Sequence, residues 1–143
     1  MRRLIARPNY SGSESAFVYE SCVEVARKAL EHGRPAILDG TFARQSHRAG
    51  AIWALQGLYG RLVVVHIVCS FEVADRRNRA RSHAIVPERR LRGIYASFQE
   101  PYGALRIDSE LHSAEGSAAI VLSAVRQRHT DSTDVDRPKT PHE

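Results

Sequence analysis

The sequence predicts an α/β fold, a three-layer arrangement in which a parallel sheet is covered by helices on both faces. Three observations carry this expectation. Helical and extended patterns alternate along the 143 residues. The extended stretches at residues 35–38 and 62–69 are apolar on both faces, which is how strands buried on two sides read. The longer segments between them repeat apolar residues every three or four positions, the signature of a helix with one buried stripe.

In chain order, Val18, Cys22, Val25 and Ala29 place one apolar face on a helix over residues 13–32, with Ser11 or Ser13 as its N-cap and Gly33 as its stop. Residues 35–38 follow as a short buried strand. Ser46 opens a second helix bearing Ala49, Ile52, Trp53 and Leu55 and closing near Gly60. The β-branched run at residues 62–69 is the clearest strand in the chain, and a sheet covered on both sides is expected around it. Residues 72–82 read as a polar helix. Pro87, at a first-turn position, opens another helix with Leu91, Ile94, Tyr95 and Phe98. A strand at residues 104–107 and a helix at 114–128 with Ala118, Val121, Leu122 and Val125 complete the order. Trp53, Tyr95 and Phe98 share helical spacing with aliphatic residues and are expected in the core. Three strands make a narrow parallel sheet, so strands preceding those visible are expected.

The length and an apolar fraction of 43% fit a single globular unit over residues 1–128, and the polar, unpatterned residues 129–143 read as a disordered tail. No run of about 18 apolar residues occurs and the N-terminal stretch is too short for a signal peptide, so no membrane span and a cytoplasmic setting are expected. Cys22 and Cys69 show no metal-ligand spacing and are expected as two buried free thiols. No metal site follows from any His or Cys spacing. Residues 129–143 hold four acids against Arg137 and Lys139, a net of −2, so the remaining chain carries +7 of the total +5. Nearly all of that charge is arginine, whose planar fork grips phosphate or carboxylate at two points. A polyanionic ligand is expected.

Asp39, Gly40 and Thr41 fall at the carboxyl end of the first expected strand, where open parallel sheets bind ligands. An acid there can hold a magnesium-bound water or accept a hydroxyl proton, and a threonine can meet a substrate hydroxyl or a phosphate. An Asp-Gly pair also caps turns, and both readings fit. Arg77 and Arg81, four apart on the expected helix and flanked by Arg76 and Arg79, point to an anion clamp. A solvated basic face or contact with nucleic-acid phosphates fits the same spacing, although interleaved aromatics for base stacking are lacking. Arg48 sits in a first helical turn, against the helix dipole, which either a compensating anion nearby or plain surface exposure would explain. His47, His66 and His83 form no base–nucleophile pattern.

These blocks together resemble the P-loop kinase-like ATP-binding (AAA domain) family that includes polynucleotide-kinase, gluconate-kinase and zeta-toxin relatives. The resemblance runs through Tyr19 and Ala26, the stretch Gly33-Arg-Pro-Ala-Ile-Leu-Asp-Gly-Thr-Phe42, Arg48, the strand ending in Cys69, Arg77-Asn-Arg-Ala-Arg81 and Asp108-Ser109, covering roughly residues 10–125. It implies a P-loop NTPase-like fold and an ATP-dependent kinase that uses magnesium to phosphorylate a small hydroxylated substrate. By the same resemblance Asp39, Arg77 and Arg81 are catalytic, with the two arginines in a lid over ATP, while Thr41 and Arg48 bind substrate. Asn78 stands where relatives carry an apolar residue. The loop G-x-x-x-x-G-K-[ST] occurs nowhere in the chain, whose lysines are Lys28 and Lys139. The chain therefore looks like an N-terminally truncated member, with weak or no activity by itself and a partner chain expected to supply the missing strand. The alternative is a noncatalytic remnant that binds a partner protein or a polyanion through its arginine face.

Overall fold

The computed structural model describes residues 11–133. Its first helix, α1 (Gly12–Glu31), starts where Ser11 accepts the Glu14 N–H on its hydroxyl at 3.1 Å. It stops where Gly33 takes a left-handed φ of 68°, which lets the Gly33 and Arg34 amides turn back to the Leu30 and Ala29 carbonyls. Both ends are therefore set by the residues expected to set them. Helix α2 (Gln45–Leu55) packs on α1 through small residues: Ala26 on one helix and Ala51 with Leu55 on the other are buried, and Arg27 donates to the Ala54 carbonyl at 2.7 Å.

Trp53 departs from the expected core, being 78% exposed. Ala51 and Leu55, four apart, define the buried stripe of α2, so a residue midway between them projects from the opposite side. The helix also ends at Leu55 rather than near Gly60, with Gly57 at a φ of 83° just beyond it.

Strand β1 (Val65–Val68) leads through α3 (Phe71–Arg79) and α4 (Glu88–Ser97) to β2 (Leu105–Asp108). The two strands pair in parallel, Val65 opposite Leu105 through Val68 opposite Asp108. A two-stranded parallel sheet joined by helices is an α/β arrangement, and Ile107, 1% exposed, is its most buried side chain. The expected strand at residues 35–38 is not formed. An extended segment becomes a strand only when a neighbour takes its backbone hydrogen bonds, and among the described residues none lies alongside; Ile37 is 94% exposed. Full coverage of the sheet is likewise not seen, since Ile67 of β1 is 61% exposed.

Helix α3 ends at Arg79, before the expected end at Ser82, with Ala80 as C-cap and the Arg81 amide closing a tighter turn on the Asn78 carbonyl at 3.3 Å. Tyr95 of α4 is exposed rather than in the core, and Phe98 is half-buried. Helix α5 (Ala114–Thr133) extends past the expected end at Arg128 into the stretch read as tail; residues 134–143 lie outside the described residues. Its apolar stripe is less covered than expected, with Leu122 and Val125 exposed. Cys22 and Cys69 are free thiols, both half-buried. None of the described helices is long and apolar enough to cross a membrane.

The chain groups into two compact units. One runs to Leu62 and adds Arg92–Glu100; the other comprises Val63–Leu91 and the residues from Pro101 onward.

Candidate functional site

In the first unit, the segment Asp39-Gly-Thr-Phe42 is irregular chain that bends at Gly40 and is held from three sides. Phe42 has a φ of 38°, a left-handed conformation that is strained for a bulky residue and persists only when its surroundings dictate it. Tyr19 of α1 supplies one restraint. Its hydroxyl accepts the Phe42 N–H at 3.1 Å and its ring stacks on that of Phe42. His47 tilts against the Tyr19 ring as well, with ring centroids 4.9 Å apart. Arg48 supplies the second restraint, donating to the Phe42 carbonyl and to the Gln99 carbonyl at 2.6 Å each, with its guanidinium over the Phe98 ring. A third comes from the Gln99 backbone, whose N–H donates to the Ala43 carbonyl at 2.9 Å.

No anion pairs with Arg48 among the described residues; neutral carbonyl oxygens take its hydrogen bonds instead of the expected compensating charge. Gly40 is constrained by the same packing, because a Cβ at that position would stand 3.2 Å from the Phe42 ring. Asp39 and Thr41 are exposed, and the Asp39 carboxylate makes no hydrogen bond or ion pair among the described residues. Beside them, a largely apolar groove of about 360 Å³ runs between Cys22, Val25 and Ala29 of α1 and the extended chain at Ala36–Asp39.

In the second unit, polar groups gather where both parallel strands end. Arg77 of α3 grips Ser109 with two nitrogens, one on the hydroxyl at 2.9 Å and one on the carbonyl at 2.8 Å. The Ser109 hydroxyl and amide in turn donate to the Val68 carbonyl. Across the same ends, the Ser70 N–H donates to the Glu110 carboxylate at 2.6 Å. Hydrogen bonds from Ser70, led by that amide, hold the Glu110 carboxyl below its ordinary range; slight desolvation and nearby Asp108 act in the opposite sense and are outweighed. Ser70 also N-caps α3, accepting the Val73 N–H on its hydroxyl.

The arginines of this region separate by role. Arg79 pairs with Asp75 at 2.8 Å and Glu88 at 3.0 Å, so its charge is neutralised within the protein. Arg77 is docked on Ser109. Arg76 and Arg81 are exposed and make no hydrogen bond or ion pair through their side chains among the described residues. Because α3 ends at Arg79, Arg77 and Arg81 do not share a helix face as their spacing had predicted. Clustering arginines at a helix C-terminus is nevertheless favourable against the negative end of the dipole.

Among the described residues, no group of three His, Cys, Asp or Glu side chains converges on a metal-sized site. Tyr19, Ser70, Gln99 and Glu110 position these features without having been expected as site residues. Of these, Tyr19 alone had a signal, as a position within the family pattern.

The family model described as "AAA domain" matches residues 2–101. No curated protein and no solved structure matches the chain.

Proposed function

The chain belongs to the AAA domain family, a P-loop kinase-like, nucleotide-binding family whose members generally use ATP with magnesium, and from that premise we propose a role in phosphoryl transfer from ATP to a small hydroxylated substrate. The observation that carries the reading is the uncommitted charge at the end of α3. Arg76 and Arg81 are exposed with no acid among the described residues neutralising them, next to Arg77, which is fixed at the carboxyl ends of the parallel strands. Guanidiniums placed in this way stabilise a phosphoryl group whose oxygens gain charge during transfer. In this reading Arg81 meets phosphate directly, and Arg77 sets the local geometry through Ser109.

Asp39 fits a magnesium role on chemical grounds. Magnesium is commonly held by one or two carboxylates plus phosphate oxygens and waters, and the Asp39 carboxylate is exposed and unengaged among the described residues. Thr41, two residues on, offers an exposed hydroxyl to the substrate. Arg48 acts from behind this segment, fixing Phe42 and hence the stretch that carries Asp39 and Thr41. The proposal includes a cytoplasmic setting and a wider, three-layer sheet in which a strand from another chain pairs along residues 35–38; the exposure of Ile37 supports that pairing.

Calorimetric titration with ATP, with and without magnesium, tests the reading on the parent chain, Asp39→Ala and Arg77→Ala/Arg81→Ala. Magnesium-dependent binding that weakens by about tenfold or more in both variants is expected, the scale of one or two lost charge-assisted contacts. A parent chain that takes up no nucleotide would overturn it. Magnesium-independent uptake of any polyphosphate, falling steeply with salt, would replace it with a noncatalytic polyanion-binding role.

A further inference from the structure

Asn78 is 5% exposed, on the face of α3 that also buries Val73. Burying an amide is unfavourable unless both its ends are hydrogen-bonded. Here both ends are used on one residue: Asn78 Nδ2 donates to the Val86 carbonyl at 2.7 Å, and Asn78 Oδ1 accepts the Val86 N–H at 2.8 Å. A side-chain amide is in this way paired to a backbone amide, as two strands pair, and it closes the loop between them. The loop follows directly on Arg79, the last residue of α3, and contains Arg81 and His83; its Ala84 takes a φ of 54°. A residue with a Cβ holds that conformation only where its surroundings over-determine it. The Asn78–Val86 pair is one such restraint and the Arg79–Glu88 ion pair, spanning the same stretch, is a second.

We propose that Asn78 is a positioning residue: its amide locks residues 80–86 into a preformed loop that presents Arg81 to a phosphate-bearing ligand. An apolar side chain at position 78 would be as easily buried, but it would leave the Val86 N–H and carbonyl without their partner and the loop free to sample other conformations. The entropy lost in ordering that loop would then oppose binding. With the clamp in place, Arg79 is consumed in closing the loop, and the Arg81 side chain is left without a hydrogen bond or ion pair among the described residues. The inference rests on the phosphate-binding reading above and adds to it the element that holds the arginine in place.

The test uses the full chain and inorganic tripolyphosphate and ATP as probes. Asn78→Leu, Arg81→Ala and the double variant are titrated beside the parent, with thermal unfolding to confirm folding and amide hydrogen exchange to follow residues 81–86. Val86→Pro removes the N–H partner without touching the buried face of α3, and it serves in place of Asn78→Leu should that variant fail to fold. The expected result is faster exchange across the loop and affinity lowered by about fivefold, the scale of one ordinary hydrogen bond's net worth. The loss should vanish in the Arg81→Ala background, since the clamp acts through Arg81. Unchanged affinity in a folded clamp variant of a parent that binds phosphate would overturn the inference alone. A loss of affinity that persists in full without Arg81 would overturn it equally. A parent that binds neither probe would overturn the functional reading and this inference with it.

Discussion

The Tyr19 hydroxyl accepts the Phe42 backbone N–H at 3.1 Å while the two rings stack with centroids 4.4 Å apart. One residue of α1 thereby fixes both the backbone and the side chain of a residue held at a φ of 38°. Tyr19→Phe keeps the stack and removes the acceptor, and a net loss of about 1 kcal/mol is expected, the ordinary worth of one hydrogen bond. Tyr19→Ala removes both restraints and should cost about 3 kcal/mol, nearer to that of deleting a packed aromatic. Urea unfolding measures the two; the midpoint should fall and the slope should stay. If Tyr19→Phe leaves the midpoint unchanged, water has replaced the hydroxyl and the stack alone holds the segment.

Much of this arrangement is legible in the sequence where local chemistry decides it. Ser11 and Gly33 mark the ends of α1 because an N-cap oxygen and a left-handed C-terminal residue are local requirements. The β-branched run around Val65 reads as a strand because those side chains fit a pleated surface. What depends on a neighbour does not read. The apolar stretch at residues 35–38 has the composition of a buried strand, but no pattern within so short a segment states whether another strand lies beside it. Trp53 misleads for a related reason: an apolar residue within a helix is taken as core until its phase relative to Ala51 and Leu55 is known. The charge of Arg48 points to a compensating anion, but a guanidinium also donates to backbone carbonyls, and here those take its place; the position of Arg48 in the sequence does not distinguish the two. Asn78 was visible only as a departure from its family's apolar residue. Its partner at Val86 is set by the path of the loop between them.

Arg48 gives a prediction that separates two roles. Its planar fork serves the Phe42 and Gln99 carbonyls at once, which a lysine ammonium on a flexible stem cannot reproduce. Arg48→Lys is expected to lower stability by about 1–2 kcal/mol, corresponding to one or two charged hydrogen bonds weakened at a half-buried site. Thermal or denaturant unfolding checks it. Undiminished stability accompanied by weaker substrate binding would instead assign Arg48 to direct substrate contact.

Glu110 predicts a pH dependence. Its folded-state carboxyl is held below the ordinary value of 4.5, chiefly by the Ser70 amide. A depressed carboxylate stabilises the fold fully above its unfolded value, and that contribution disappears as pH falls from about 4.5 through the folded value. The group is exposed, so the effect is small and is screened by salt. Glu110→Gln should flatten this part of the acid limb in a plot of unfolding midpoint against pH, and it should leave the slope above about pH 6 unaltered. An acid limb of the same shape in the variant would mean that Ser70 finds an equivalent acceptor.

Ile37 offers the sharpest test of whether the extended segment has a strand partner. In the isolated chain its side chain is 94% exposed, so Ile37→Glu should change stability by no more than about 0.5 kcal/mol, the range of ordinary surface substitutions. A strand inside a sheet obeys a different rule. There the same substitution places a charge on a buried face and costs several kcal/mol, because a carboxylate without a partner is poorly tolerated out of water. Sedimentation across a concentration series, paired with unfolding of parent and variant, separates the cases. If the parent self-associates and Ile37→Glu abolishes association while the monomer's stability is unchanged, a second copy pairs along residues 35–38. If both chains remain monomeric and equally stable, the segment has no strand partner of its own kind, and any pairing chain must be a different protein.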